Sequence, residues 1–159
     1  KANVDRIVAE GKIQVIWQTG KYYEREMTEF MQGRSDRGIW RGPFIDRMDL
    51  AYAAADIVVA RAGACTVSEL CLIGRPTIFV PSPNVAEDHQ TKNAMALVGK
   101  QAARMIPDRD AVNGVFPVVE ELLADPKQLA EMERNILTLG IGDSADRVVN
   151  EVMDVVNGK

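Results

Sequence analysis

The sequence is poor in the side chains on which metal and redox chemistry depend. Its 159 residues include two cysteines, Cys65 and Cys71, and one histidine, His89. No spacing among them suits a set of metal ligands. Six apart on one expected helix, the cysteines are badly placed for a structural disulfide, and a reducing compartment is the natural setting. No signal peptide opens the chain, and no apolar run is long enough to span a bilayer. That excludes a spanning segment but not a membrane-surface role. A basic excess is missing too: the formal net charge is -4. A nucleic-acid partner bound without regard to sequence needs a basic face, so that class is set aside.

What remains is the composition of an ordinary globular protein, 47% hydrophobic and 26% charged. The length fits one domain with a real core. The chain opens on Lys1, without Met, inside a helix-like pattern, and is expected to be a piece of something longer. Helical spacing of Val4, Ile7 and Val8 marks residues 1–10, with Gly11 as the stop. Strands are expected over 13–20, 39–45 (interrupted by Gly42-Pro43), 56–60, 76–81 and 102–106. Helices are expected over 21–32, with Tyr22, Tyr23, Met27, Phe30 and Met31 inward, and over 48–55, 65–73 and 88–99. Three more follow at 110–123, 126–138 and 144–157. The run Asp56 to Ala60 is apolar throughout, as a strand covered on both faces should be. This alternation predicts an α/β fold, a Rossmann-like parallel sheet with helices on both faces. Ligands of such sheets bind beyond the carboxyl ends of the strands.

The most informative stretch runs from Asp56 to Asn93. It reads as strand, small-residue turn, helix, strand, then a polar loop feeding another helix. Gly63, Ala64, Cys65 and Thr66 carry little bulk, so backbone N–H groups at the helix start can approach an anion closely. Tight strand-to-helix packing would explain the same small residues. Thr66 and Glu69 fit a capping box, in which Thr66 bonds the N3 amide and Glu69 reaches back to the N-cap amide. Arg61 is either a solvated turn residue or positive charge beside an anion. Asp88 is a good N-cap for a helix bearing His89, Gln90 and Asn93. Phe44, apolar at a strand end, has core packing as its default reading.

The motifs WQTG at 17–20, FID at 44–46, AYAAADIVVARAGACTVSE at 51–69, GRPTIFVPSP at 74–83 and DHQTKNA at 88–94 together carry a resemblance. In this order and spacing the chain resembles the C-terminal, donor-binding half of GT-B glycosyltransferases of family 28. Those are the bacterial peptidoglycan enzymes that add N-acetylglucosamine to lipid I to make lipid II. The resemblance implies binding of UDP-N-acetylglucosamine. It places Phe44 against uracil, the Ile45 backbone at the uracil edge, and Gly63 to Thr66 around the diphosphate. Glu69 falls on the ribose hydroxyls and the His89-Gln90 pair on sugar and phosphates, with Asn93 a further candidate for substrate binding on the same helix. His89 departs from the family's usual Gln-Gln pair, which leaves its role open.

The resemblance also implies direct displacement with inversion, no cofactor, and no divalent metal required to anchor the donor. The general base and the lipid I acceptor site are expected in an N-terminal domain absent from this sequence. That domain would make the membrane contact, at the cytoplasmic face of the bacterial inner membrane. A first strand with a glycine-serine loop is expected before Lys1. Two rivals stand beside this reading. One is another two-domain UDP-sugar enzyme, such as a lipid galactosyltransferase or a UDP-N-acetylglucosamine 2-epimerase. The other is a non-catalytic donor-binding subunit of a two-chain transferase.

Overall fold

The structure, a computed structural model, describes residues 1–158. It divides into two compact units, Lys1–Ala55 and the remainder from Asp56 onward. Where the sequence suggests one sheet, the structure has two parallel sheets, with strand orders β1-β2 and β3-β4-β5.

The first unit begins with α1 (Val4–Glu10) and continues through β1 (Val15–Gln18), α2 (Glu24–Met31), β2 (Ile39–Gly42) and α3 (Met48–Ala54). Gly11 ends α1 in the left-handed conformation, φ +62°, and its N–H bonds the Ile7 carbonyl at 3.0 Å. The two strands pair from Val15 opposite Ile39 to Gln18 opposite Gly42. Pro43 follows, and its missing N–H cannot extend the ladder. Val4, Ile7, Met27, Met31 and Ile39 are buried.

The helix expected over 21–32 is shorter than its apolar pattern suggests. Residues Lys21–Tyr23 form a 3₁₀ turn instead. A turn with three residues per revolution breaks the 3.6-residue phase. Met27 and Met31, one α-turn apart, point inward, but Tyr22 is 88% exposed and Tyr23 is exposed with it. Their rings meet edge to face at 4.9 Å. Phe30 is half-buried, with the Arg34 guanidinium 4.7 Å from its ring centre.

The second unit runs β3 (Val58–Ala60), α4 (Ala64–Ile73), β4 (Thr77–Phe79), α5 (His89–Val98), β5 (Ala103–Met105), α6 (Ala111–Leu123), α7 (Pro126–Leu137) and α8 (Ser144–Val156). β4 is central, and Thr77, Ile78 and Phe79 are wholly buried. The Thr77 hydroxyl donates to the Arg75 carbonyl at 2.8 Å, so its burial strands no polar group. Ile78, Ile106, Leu122 and Met132 form a core with Ile57, Val115, Val118, Val119 and Leu129 packed on it. β3 differs from expectation: it is an edge strand of its sheet, and Val59 is 46% exposed. Apolar composition alone therefore did not mean cover on both faces.

α4 packs against α5 and α7, and α6 against α7. Gly74 closes α4 at φ +72°, and a Cβ there would fall 2.6 Å from Leu137. The Asp125 carboxylate caps α7, accepting from the Lys127 and Gln128 amides at 3.1 Å. α8 buries none of its side chains. Among the described residues no helix is long and apolar enough to cross a membrane. Within each sheet the strands run parallel, so the loops that follow them emerge at one end.

Candidate anion and nucleotide site

The chain leaves β3 at Ala60 and enters α4 at Ala64 after a single short turn. Gly63 is the N-cap, with φ −66° and ψ 148°, and among the described residues no side chain caps the helix. The first helical bond runs from the Val67 N–H to the Gly63 carbonyl at 2.9 Å. The amides of Ala64, Cys65 and Thr66 therefore precede the first i to i−4 bond, which is the general state of a helix start. They carry the positive end of the helix dipole. Ala64 and Cys65 are exposed, and Thr66 is half-buried.

Two readings of this turn change with the structure. The capping box is excluded. α4 begins three residues earlier than the box needs, so Thr66 occupies N3 and Glu69 lies a further turn along. Glu69 is exposed on that helix. Tight packing also fails to explain Gly63. A Cβ there would meet only the Thr66 hydroxyl oxygen, at 3.9 Å. Gly140 shows the opposite case, since its Cβ would come within 2.8 Å of the Cys71 carbonyl oxygen.

α5 brings its polar side chains back to the loops. Asn93 donates through Nδ2 to the Ala62 carbonyl at 3.1 Å. The peptide between Ala62 and Gly63 is planar and trans, so fixing that carbonyl aims the Gly63 N–H the opposite way. The Gln90 Oε1 accepts from the Ser82 amide at 2.9 Å, which leaves its NH₂ as the outward donor. With the proton on Nδ1, His89 donates to the Ala86 carbonyl at 2.9 Å. Its ring is thus tied to its own loop.

Asp88 does not act as expected. It stands at the N-cap but with φ +51°, and its carboxylate makes no capping bond. Glu87 before it also has positive φ, +53°. Two consecutive non-glycine residues in the left-handed region are costly, and such strain is found preferentially at ligand sites.

In the first unit, Phe44 is 61% exposed, so it is not a core residue. The Ile45 amide bonds the Gln18 Oε1 at 3.2 Å. Gln18, at the end of β1, is a partner the motif reading did not single out. Just beyond, Arg47 bonds both carboxylate oxygens of Asp49, and that hydrogen bonding holds the Asp49 carboxyl below the usual carboxylate range.

Of the sequence-derived candidates, Phe44 and Ile45 belong to the first unit, and Gly63, Ala64, Cys65, Thr66, Glu69, His89, Gln90 and Asn93 to the second. In the second group, Gly63 to Thr66 form the start of α4, Asn93 and Gln90 bond the loops after β3 and β4, Glu69 lies further along α4, and His89 bonds its own loop. Concavities of 430 and 320 Å³ in the first unit, the one lined by Thr28, Glu29, Met31, Gln32 and Arg41 and the other including Trp17 and Thr19, contain none of these residues. At the start of α4, Ala64 and Cys65 are exposed. One Asp-x-Asp spacing does occur, Asp108-Arg109-Asp110, but Asp108 pairs with Arg61 and Asp110 with Arg109.

Known proteins resemble this chain in sequence and in fold. The sequence model of the glycosyltransferase family 28 C-terminal domain matches residues 2–148. The UDP-N-acetylglucosamine–N-acetylmuramyl-(pentapeptide) pyrophosphoryl-undecaprenol N-acetylglucosamine transferase of Parabacteroides distasonis is 47% identical over 159 residues. The alignment takes in 100% of this chain and 43% of that protein, so the chain spans less than half of its relative. A crystal structure of Acinetobacter baumannii MurG superposes with a TM-score of 0.73 at 28% identity, over 96% of this chain and 48% of that one. A UDP-N-acetylglucosamine 2-epimerase has a TM-score of 0.64 at 18% identity, over 99% of this chain and 40% of that one, which is a likeness of fold alone.

Proposed function

The chain belongs to the glycosyltransferase family 28 C-terminal domain family, and from that premise we propose that it is the sugar-donor half of a hexosyltransferase. The reaction is transfer of N-acetylglucosamine from UDP-N-acetylglucosamine to lipid I, giving lipid II with inversion. The observation that carries this reading is the start of α4, where no side chain caps the amides and Gly63 leaves space that packing does not need.

The diphosphate of the donor sits at that helix start, where backbone N–H groups and the dipole meet negative charge. As the bond to the sugar breaks, charge grows on the leaving phosphate. Donors already fixed in place stabilise it without reorganising. Glu69 accepts from the ribose hydroxyls. Gln90 keeps its carbonyl oxygen on Ser82 and offers its NH₂ to the sugar. Asn93 holds the Ala62 peptide and so sets the direction of the cradle. In the first unit, Phe44 offers an exposed ring for the uracil base. The Ile45 amide reads the uracil edge after exchanging its bond to Gln18. A general base to deprotonate the acceptor hydroxyl, the lipid I site and the peripheral contact with the inner membrane are assigned to the part of the relatives that this chain does not span.

Calorimetric titration with UDP, UDP-N-acetylglucosamine and UDP-glucose tests the reading. UDP and UDP-N-acetylglucosamine should bind, and UDP-glucose should bind more weakly than the N-acetylated donor. Absence of any UDP binding by the folded chain would refute the proposal.

A further inference from the structure

One guanidinium group reaches the ends of all three strands of the second sheet. Arg61 follows the last residue of β3. Its Nη1 points at the Val80 carbonyl at 3.1 Å and the Pro81 carbonyl at 3.2 Å, both just beyond β4. The same nitrogen donates to the Asp108 carboxylate, in the 3₁₀ turn that follows β5. We infer that Arg61 and Asp108 form a latch that positions the anion cradle, and that Arg61 is not itself a ligand of the diphosphate. The inference rests on the donor reading above.

Three observations support it. First, the Arg61 Nη1 carries two hydrogens and already faces three acceptors, the Val80 and Pro81 carbonyls and the Asp108 carboxylate, so it has no hydrogen to spare for a phosphate. Second, the latch acts on the two loops that α5 also holds. Arg61 adjoins Ala62, whose carbonyl is bonded by Asn93, and its acceptors Val80 and Pro81 adjoin Ser82, whose amide is bonded by Gln90. The turn from Arg61 to Gly63 is therefore held on one side by the Arg61 side chain and on the other by α5. Third, the pair is too exposed to serve mainly as a stabilising ion pair, with 54% of the Arg61 and 36% of the Asp108 side chain accessible. Its effect is local, on where the amides of α4 point.

Asp108→Asn separates the latch from a ligand role, because the two predict opposite signs. If Arg61 bound phosphate, removing its competing carboxylate would tighten UDP binding. If Arg61 is a latch, the same change loosens the loops and weakens UDP by about two- to fivefold, the scale of an exposed ion pair. Uridine, which has no phosphate, should keep its affinity, whereas general destabilisation would weaken both. Arg61→Lys should behave like Asp108→Asn, since it keeps the charge but not the planar fork. Amide hydrogen exchange tests the latch without any ligand. Exchange at Ala62, Gly63 and Ser82 should quicken in Asp108→Asn while that of Ile78 in β4 stays as in wild type. UDP binding unchanged or tighter in Asp108→Asn, or unchanged loop exchange, would overturn the latch. Wild-type protein that fails to bind UDP, with loop exchange still faster in Asp108→Asn than in wild type, would overturn the donor reading and leave the latch standing.

Discussion

Gly63→Ala is the sharpest test of the cradle, because structure and function predict different sizes of effect. The backbone at Gly63, φ −66° and ψ 148°, is open to any residue. The new methyl would lie 3.9 Å from the Thr66 hydroxyl oxygen, an ordinary contact. Replacing glycine where its conformation is compatible stabilises by about 0.4–1 kcal/mol through the unfolded chain. Alanine is the poorer N-cap, at a cost of about 0.5–1 kcal/mol. The two nearly cancel, and a net change under about 1 kcal/mol moves the melting temperature of a chain of this size by only about 2–4 °C. Binding should fare differently. A methyl group pointing into the space before α4 keeps a phosphate from closing on the amides of Ala64, Cys65 and Thr66. Losing one hydrogen bond to a charged group costs about 1.5–3 kcal/mol, or roughly 10- to 150-fold in affinity. The assay is a thermal melt beside calorimetric titration with UDP and uridine. UDP should weaken and uridine should not. A variant that melts like wild type and binds UDP equally well would refute the cradle.

Phe44→Ala should leave the fold intact, because the ring is exposed, and weaken UDP by tenfold or more, since base stacking on an aromatic contributes about 1–3 kcal/mol; unfolding would restore the core reading. Cys65, exposed at the second position of α4, should be alkylated well before Cys71, whose thiol burial pushes up and away from the reactive thiolate. Saturating UDP should slow the alkylation of Cys65, as followed by mass spectrometry, and equal rates with and without UDP would move the diphosphate off this helix start. Glu69→Gln should weaken UDP by about 1.5–3 kcal/mol, since a carboxylate accepts from both ribose hydroxyls and the amide has one acceptor oxygen. The same variant should lose discrimination between UDP and 2′-deoxy-UDP, and unchanged affinity for both would remove Glu69 from the site.

The order of strands and helices was legible because glycines and apolar periods punctuate the chain clearly. Gly11 and Gly74 end helices where expected, both with positive φ. The failures share a cause: pattern reports polarity, not phase or neighbours. Tyr22 and Tyr23 fit an inward face only if the α-turn begins at residue 21, and a 3₁₀ turn there rotates them out. Val59 lies in an apolar run, yet at 46% exposed the face of β3 that it occupies is left uncovered. The Thr66-x-x-Glu69 spacing satisfies a capping box in text, but the helix starts at Ala64. At the site, the small-residue turn and the polar helix start were visible as motifs. The roles of Gln18, Ser82 and Asp108 were not, because each acts through a contact far along the chain, and such contacts leave no local pattern.

Those long-range bonds imply a division of labour in the second unit. The polar side chains Arg61, Gln90 and Asn93 all bond backbone carbonyls or an amide of the loops. In the proposed cradle the donors offered to the diphosphate are main-chain amides, whose directions those side chains fix, and the Gln90 NH₂ is left for the sugar. An anion arriving there meets donors that need little further ordering. That matters because each rotamer-rich side chain immobilised on binding costs about 0.5–1.5 kcal/mol. It follows that alanine substitution at Gln90 or Asn93 removes a loop anchor as well as any contact with the donor. A loss of affinity in either variant therefore does not identify a ligand. The distinguishing quantity is the coupling between each position and Gly63→Ala in a double-mutant cycle. An anchor acts through the amides that the methyl already obstructs, so its loss should add little to that of Gly63→Ala. A side chain that touches only the sugar should add its full effect.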